Sequence, residues 1–91
     1  MKLRIDRALR CEDGTAIPAG GYEVEVDEAG STVVLARDGA RVAAPSAVLR
    51  PAKRAVRKPK VELREVADAP RRLLVARTPP ANEWVVPLDE A

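Results

Sequence analysis

The sequence predicts an all-β fold: a small barrel or sandwich of six to seven mostly antiparallel strands. Three observations support this prediction. Residues 21–27 alternate between apolar and acidic side chains, Asp38-Gly39 is a strong hairpin signal, and most of the eight prolines and five glycines lie between apolar segments. No segment carries an extended helical period, so the strand period of two dominates the chain.

The first clear strand begins at Tyr22. Between Tyr22 and Asp27, the tyrosine and two valines fall on one face and three carboxylates on the other, which is the pattern of a half-buried strand. Gly30 then offers a turn residue that is free to adopt positive φ. Residues 32–36 are apolar on both faces, which favours an inner strand.

Asp38-Gly39 connects this inner strand to the next one. A type I′ turn needs positive φ at both central residues, and this dipeptide tolerates it. Pro45 ends the strand that follows. Residues 21–44 are therefore predicted to form a three-stranded meander.

The N-terminal stretch is less regular. Leu3, Ile5 and Leu9 suit a strand with Arg7 as a misfit, whereas Ile5, Ala8 and Leu9 would also suit a helical face. A turn predicted at residues 12–15 favours the strand, and leaves residues 16–17 as a short edge piece.

Residues 61–89 are predicted to form a second meander. An alternating strand begins at Val61, a turn follows at 67–70, and an arginine-flanked strand covers 71–77. After another turn, the last strand places Trp84, Val86 and Leu88 on one face. Pro87 lacks an amide hydrogen, so this strand is expected at an edge or with that position facing water.

Length and composition predict one domain spanning residues 1–91. Val, Leu and Ile make up 22 of the 91 residues, and there is no Phe, so the core is thin, and we expect it to gain stability from partners. The single cysteine, Cys11, excludes an internal disulfide, which favours the cytoplasm. Charges interrupt the first residues where a signal peptide needs an apolar run, and no segment is apolar enough to span a membrane.

The positive charge is concentrated in one place. Residues 50–60, which we call the basic segment, hold six of the 16 basic residues and no acidic one. The other ten basic residues stand against 14 acidic residues, a net charge of −4. The basic segment contains prolines near both ends and is predicted to connect the two meanders. Its interpretation stays open between a linker that is solvated or neutralised by acidic neighbours, a docking site for an acidic protein surface, and a nucleic-acid site. Its cations are Arg50, Lys53, Arg54, Arg57, Lys58 and Lys60.

The residue types argue against an enzyme. The chain has no histidine, which removes the commonest general base and metal ligand, and Cys11 has no second cysteine for a zinc site. The carboxylates between Glu23 and Glu28 are expected to form a solvated strand face, and no glycine pattern matches a phosphate-binding loop. We expect no catalytic residue, metal or cofactor.

Two functions remain. The first is a non-catalytic structural or adaptor domain that acts through protein–protein contact, as a subunit of a larger or homo-oligomeric assembly. The alternative is a small nucleic-acid-binding module that uses the six cations of the basic segment. Trp84 is a candidate anchor for a partner, although core packing is favoured for it because it is the largest apolar residue of the chain.

Overall fold

The computed structural model describes residues 1–66 and 71–91, and the turn expected at 67–70 lies outside the described residues. No described residue is helical, so this part of the chain has no helix that could cross a membrane. The described residues form ten strands: β1 (Lys2–Ile5), β2 (Leu9–Arg10), β3 (Ala16–Ile17), β4 (Gly20–Asp27), β5 (Thr32–Arg37), β6 (Ala40–Ala43), β7 (Val48–Pro51), β8 (Lys60–Glu65), β9 (Arg71–Thr78) and β10 (Asn82–Glu90).

The strands form two antiparallel sheets. The four-stranded sheet has the order β1-β4-β5-β6, and the six-stranded sheet has the order β3-β2-β10-β9-β8, with β7 also paired to β10. Strand β1 lies beside β8, and β3 lies beside β6, so the edges of the two sheets approach each other. The predicted fold class is confirmed, with the meanders β4-β5-β6 and β8-β9-β10 on either side of the basic segment.

Both sheets contribute to one hydrophobic core. The predicted alternation holds on β4, where Tyr22 and Val24 are buried, and on β10, where Trp84, Val86 and Leu88 are buried. Because apolar side chains from both sheets leave water together, the two meanders stabilise each other. The buried members of the core cluster are Ile5, Leu9, Cys11, Ile17, Tyr22, Val24, Val33, Leu35, Ala43, Leu74, Ala76, Trp84, Val86 and Leu88.

The strand count exceeds the expected six to seven because some strands are very short. The N-terminal stretch divides into β1, in the four-stranded sheet, and β2, in the six-stranded sheet. The break between them includes Asp6, whose carboxylate accepts a hydrogen bond from Arg72 at 2.9 Å. Strand β3 is the short edge piece expected at residues 16–17.

The turns agree with the sequence at one hairpin and differ at the other. Asp38 and Gly39 both have positive φ, 52° and 79°, as a type I′ turn requires. In the turn after β4, however, the residue with positive φ is Ser31 and not Gly30. Gly30 donates its amide to Asp27 Oδ1, and a Cβ there would come within 2.9 Å of Asp27 Oδ2. The close approach of the Asp27 carboxylate to position 30, rather than a positive φ, explains why this residue is a glycine.

Of the two alternatives expected for the last strand, the edge position is wrong, whereas Pro87 is partly exposed and lacks a strand partner on one side. Strand β10 pairs with β9 along most of its length, and on its other side with β7 at residues 82–85 and β2 at residues 89–90. Pro87 falls in the interval between those two partners. A central strand tolerates this proline because no neighbouring strand requires an amide hydrogen at that point.

Candidate functional site

The basic segment is fixed at both ends and in its middle. Arg50 and Pro51 belong to β7 and Lys60 begins β8, so the unpaired connection is shorter than the sequence suggested. The amide of Ala52 donates to the Ala81 carbonyl at 2.9 Å, and the amide of Val56 donates to the Pro80 carbonyl at 2.8 Å. These two bonds hold the connection against the loop that joins β9 to β10.

Four charged side chains form a row across the outer face of the six-stranded sheet. Cross-strand register aligns Lys60 with Arg77, Arg77 with Glu83, and Glu83 with Arg50. Side chains alternate between faces along a strand, and the neighbours of this row on β9 and β10, such as Trp84, point into the core. The row therefore lies on the face opposite the core, and we call it the charged row.

Glu83 is the centre of the charged row. It is 7% exposed, and each of its carboxylate oxygens accepts a hydrogen bond: Oε1 from Arg50 Nε at 2.6 Å and Oε2 from Arg77 Nε at 3.0 Å. The hydrogen bond from Arg50 lowers the pKa of Glu83, burial opposes this effect, and the hydrogen bond from Arg77 adds to it. The only carboxylate in the row is thus occupied by two guanidinium groups.

A second carboxylate, Glu62 on β8, pairs with Arg77 as well as with Arg64. Its Oε1 lies 3.1 Å from Arg77 Nη2 and accepts a hydrogen bond from Arg64 Nε at 2.6 Å. Burial raises the pKa of Glu62, but the hydrogen bonds from Arg64 and Arg77 outweigh it and the net shift is downward. For Arg77, burial lowers the pKa, and hydrogen bonds to Glu83 and Glu62 more than compensate.

The basic segment and the charged row enclose a concave pocket of about 930 Å³, which we call the cationic pocket. Its volume is within the range of small-molecule and peptide-side-chain sites. Eight cationic side chains and one carboxylate, Glu83, contribute to the wall. The lining residues are Arg50, Pro51, Ala52, Lys53, Arg54, Ala55, Val56, Arg57, Lys58, Lys60, Arg64, Arg77 and Glu83.

Most cations of the basic segment have no partner in the fold. Arg50 pairs with Glu83, but the other five form no ion pair with any carboxylate of residues 1–66 and 71–91. All five are exposed: Lys53, Arg54, Arg57, Lys58 and Lys60. The described acidic residues therefore pair with only one of the six cations of the basic segment, and the cationic pocket keeps a large positive excess.

Apolar side chains lie next to the charged row. Val48 and Leu49 on β7 are the exposed large hydrophobic residues of the described chain, at 66% and 51% exposure. Val48 aligns with Val85, and Val85 with Val75, on the same face as the charged row. Val75 and Val85 are buried although they do not belong to the main core cluster. We call Val48, Val85 and Val75 the valine row.

The two aromatic residues are both inside the protein. Trp84 is 2% exposed and donates its indole hydrogen to Thr78 Oγ1 at 3.0 Å, and Tyr22 is 3% exposed and donates its hydroxyl hydrogen to the Pro18 carbonyl. Trp84 therefore packs in the core and takes no part in the exposed surface of β7 and the basic segment. The structure brings together the six predicted cations but not Trp84.

Sequence reasoning did not identify Glu83, Arg77, Glu62 or Arg64 as part of the site. Arg77 and Glu83 flank the predicted turn between the last two strands, which was a usable signal, because antiparallel strands bring such residues face to face. The pairing of Glu83 with Arg50 joins residues 33 positions apart and has no local signal.

The described residues contain no cluster of three or more metal-ligating side chains, and every buried polar side-chain atom among them has a hydrogen-bond partner. Burial, with a smaller contribution from Asp13, raises the pKa of Cys11 to about 11, so its thiol is not activated. The chemistry that the cationic pocket supports is the binding of anions.

Comparisons with protein-family models, with curated proteins and with solved structures gave no significant match, and so they assign this chain to no family.

Proposed function

We propose that this chain is a non-catalytic structural or adaptor domain that acts through protein–protein contact, as a subunit of a larger or homo-oligomeric assembly in the cytoplasm. The surface we assign to this contact is the cationic pocket with the neighbouring part of β7. The observation that carries the proposal is the set of five exposed cations that no described carboxylate neutralises, arranged around a pocket whose one carboxylate is already occupied. The single cysteine supports a reducing compartment.

An acidic protein surface satisfies this arrangement. Complementary charge accelerates association and fixes the orientation of partners, and guanidinium groups pair well with carboxylates. Arg50 and Arg77 are held by Glu83, which reduces the ordering that a partner has to impose on them. The partner we propose is therefore a protein that presents clustered Asp and Glu side chains.

Nucleic acid is the second candidate, and the same five cations favour it because each can neutralise a phosphate. Stacking of bases on aromatic side chains is not supported, since Tyr22 and Trp84 are both buried. This candidate consequently requires recognition of the phosphate backbone alone.

The test compares binding of a labelled oligoglutamate peptide with binding of single-stranded and duplex DNA of matched charge. The variant carries Lys53→Gln, Arg54→Gln, Arg57→Gln and Lys58→Gln. The control carries four exposed cations changed elsewhere, Lys2→Gln, Arg4→Gln, Arg10→Gln and Arg41→Gln, and therefore has the same net charge. Fluorescence anisotropy at several salt concentrations gives the affinities.

We expect the first variant to lose about tenfold or more in affinity for oligoglutamate and the control to lose much less. Equal losses in both variants would show that the basic segment is not a specific site and would overturn the proposal. Tight, steeply salt-dependent DNA binding with no oligoglutamate binding would replace it with the nucleic-acid function. The mass in solution over a range of concentrations tests self-association separately.

A further inference from the structure

The valine row and the charged row run side by side on the outer face of the six-stranded sheet. Val48 and Arg50 are two residues apart on β7, as are Val85 and Glu83 on β10, so each pair shares a face. Two members of the valine row, Val85 and Val75, are buried, whereas the third, Val48, is 66% exposed. Val48 is thus a solvent-exposed apolar side chain next to the cationic pocket.

The edge of β7 is a poor template for an added strand. The Ala47 amide already donates to the Ser31 carbonyl at 2.8 Å, and Pro51 has no amide hydrogen. Amides of successive residues point to opposite sides of a strand, and the Ala52 amide points towards Ala81. Leu49 is therefore the one residue of β7 whose amide hydrogen is directed away from β10. A partner gains few main-chain bonds at this edge.

We propose that the partner segment is acidic and carries a large apolar side chain beside its carboxylates, and that it lies across the face of β7 rather than along its edge. Its carboxylates pair with the free cations of the basic segment, and its apolar side chain covers Val48. This inference rests on the proposed function and adds the chemistry of the partner to it. Charge complementarity selects the acidic character, and the exposed end of the valine row selects the apolar side chain.

The chain supplies its own matched control. Val48 and Leu49 are neighbours on β7 with comparable exposure, but they lie on opposite faces: Val48 aligns with Val85, and Leu49 aligns with the core residue Trp84. Docking on the outer face requires Val48 and does not require Leu49. Strand addition at the edge would place a partner's side chains near both.

The experiment measures affinities of Val48→Ser and Leu49→Ser for two peptides. One is acidic with a pair of leucines, and the other has serines at those two positions. We expect the leucine peptide to bind the unaltered protein about fivefold more tightly than the serine peptide, and Val48→Ser to remove this difference while Leu49→Ser retains it. Urea unfolding of both variants confirms that they are folded.

Loss of the leucine preference in both variants would indicate the edge and overturn the face-docking inference. If the unaltered protein shows no preference for the leucine peptide, the inference is overturned as well. The oligoglutamate affinity of the variant changed at Lys53, Arg54, Arg57 and Lys58 would still decide the proposed function on its own. Duplex DNA and the serine peptide are also compared as competitors of the leucine peptide. If duplex DNA displaces the leucine peptide at a lower concentration than the serine peptide does, a phosphate ligand is favoured and the inference is contradicted.

Discussion

Two regions of the six-stranded sheet are each built around one buried ionised side chain, and they are opposite in sign. In the cationic pocket, the carboxylate of Glu83 lies between two arginines. At the other end of the sheet, the guanidinium group of Arg72, 8% exposed, lies 2.9 Å from Asp6 and 3.6 Å from both Glu65 and Glu90.

The two regions differ in how the remaining charge is balanced. Around Arg72, the acidic partners are supplied by the fold itself, and Glu90 also pairs with Arg7 at 3.7 Å. Around Glu83, the fold supplies one buried carboxylate and a further contribution from Glu62, and five cations remain without a partner among the described residues. The comparison indicates that the Arg72 region serves the stability of the sheet, whereas the Glu83 region also leaves charge available for a ligand.

The largest expected effect follows from Glu83→Gln. This change leaves two guanidinium groups facing one neutral amide, and hydrogen bonds between charged groups are worth more than neutral ones, so we expect a loss of about 2 kcal/mol in the free energy of unfolding. Urea denaturation measures it. Glu25→Gln, on the exposed face of β4, is the control and should change stability by less than about 0.5 kcal/mol.

A smaller loss is expected from Arg72→Met, which keeps the apolar stem of the side chain. Among the described residues it has three carboxylate partners, and two of them are well exposed, Asp6 at 68% and Glu65 at 83%, so water solvates them when the guanidinium group is removed. We expect a loss of about 1 kcal/mol in the free energy of unfolding. A loss larger than that of Glu83→Gln in the same urea experiment would contradict the contrast between the two regions.

The smallest loss in the free energy of unfolding is expected from the protonation of Glu83 at acidic pH. The pKa of Glu83 in the folded protein lies below its ordinary value of 4.5, chiefly because of the hydrogen bond from Arg50. The unfolded chain therefore takes up this proton first, and stability is retained above about pH 4.5 and falls as pH decreases through the folded pKa. The lowered pKa keeps folded Glu83 largely ionised until strongly acidic pH, whereas Glu83→Gln removes the charge at every pH and turns an NH2 donor towards one guanidinium group, so the loss in acid is smaller than with substitution.

Unfolding measured between pH 6 and pH 3 tests this sign, and Glu83→Gln is expected to flatten the decline. The pKa of Glu62 is also lowered, so part of the slope should persist in the variant. A variant with the same pH profile as the unaltered protein would show that Glu83 does not contribute to acid sensitivity.

Local sequence patterns predicted which strand faces are buried and where one hairpin turn lies. Alternation in β4 identified Tyr22 and Val24 as core residues, and Asp38-Gly39 identified its hairpin, because strand faces and turn angles are determined by neighbouring residues. Pro87 indicated correctly a position without a partner on one side of β10, but it did not reveal that two different strands pair before and after it, which makes β10 a central strand.

The candidate site was predictable in composition but not in geometry. The concentration of cations at 50–60 is visible in the sequence, whereas their arrangement depends on the pairing of β7 with β10. That pairing places Arg50 beside Glu83 through a long-range register that no short segment encodes. The burial of Trp84 likewise depends on both sheets. The sequence around Trp84 was therefore compatible with either core packing or contact with a partner.

The two backbone hydrogen bonds from Ala52 and Val56 have a further consequence for the rate of binding. They restrict the connection before any partner arrives, so less conformational entropy remains to be lost when the complex forms. For the acidic partner proposed above, we expect an association rate that falls as ionic strength rises, because the connection is already ordered and positively charged. The loop at Pro80 and Ala81, which carries no charge itself, thereby contributes to how quickly the charged side chains can act.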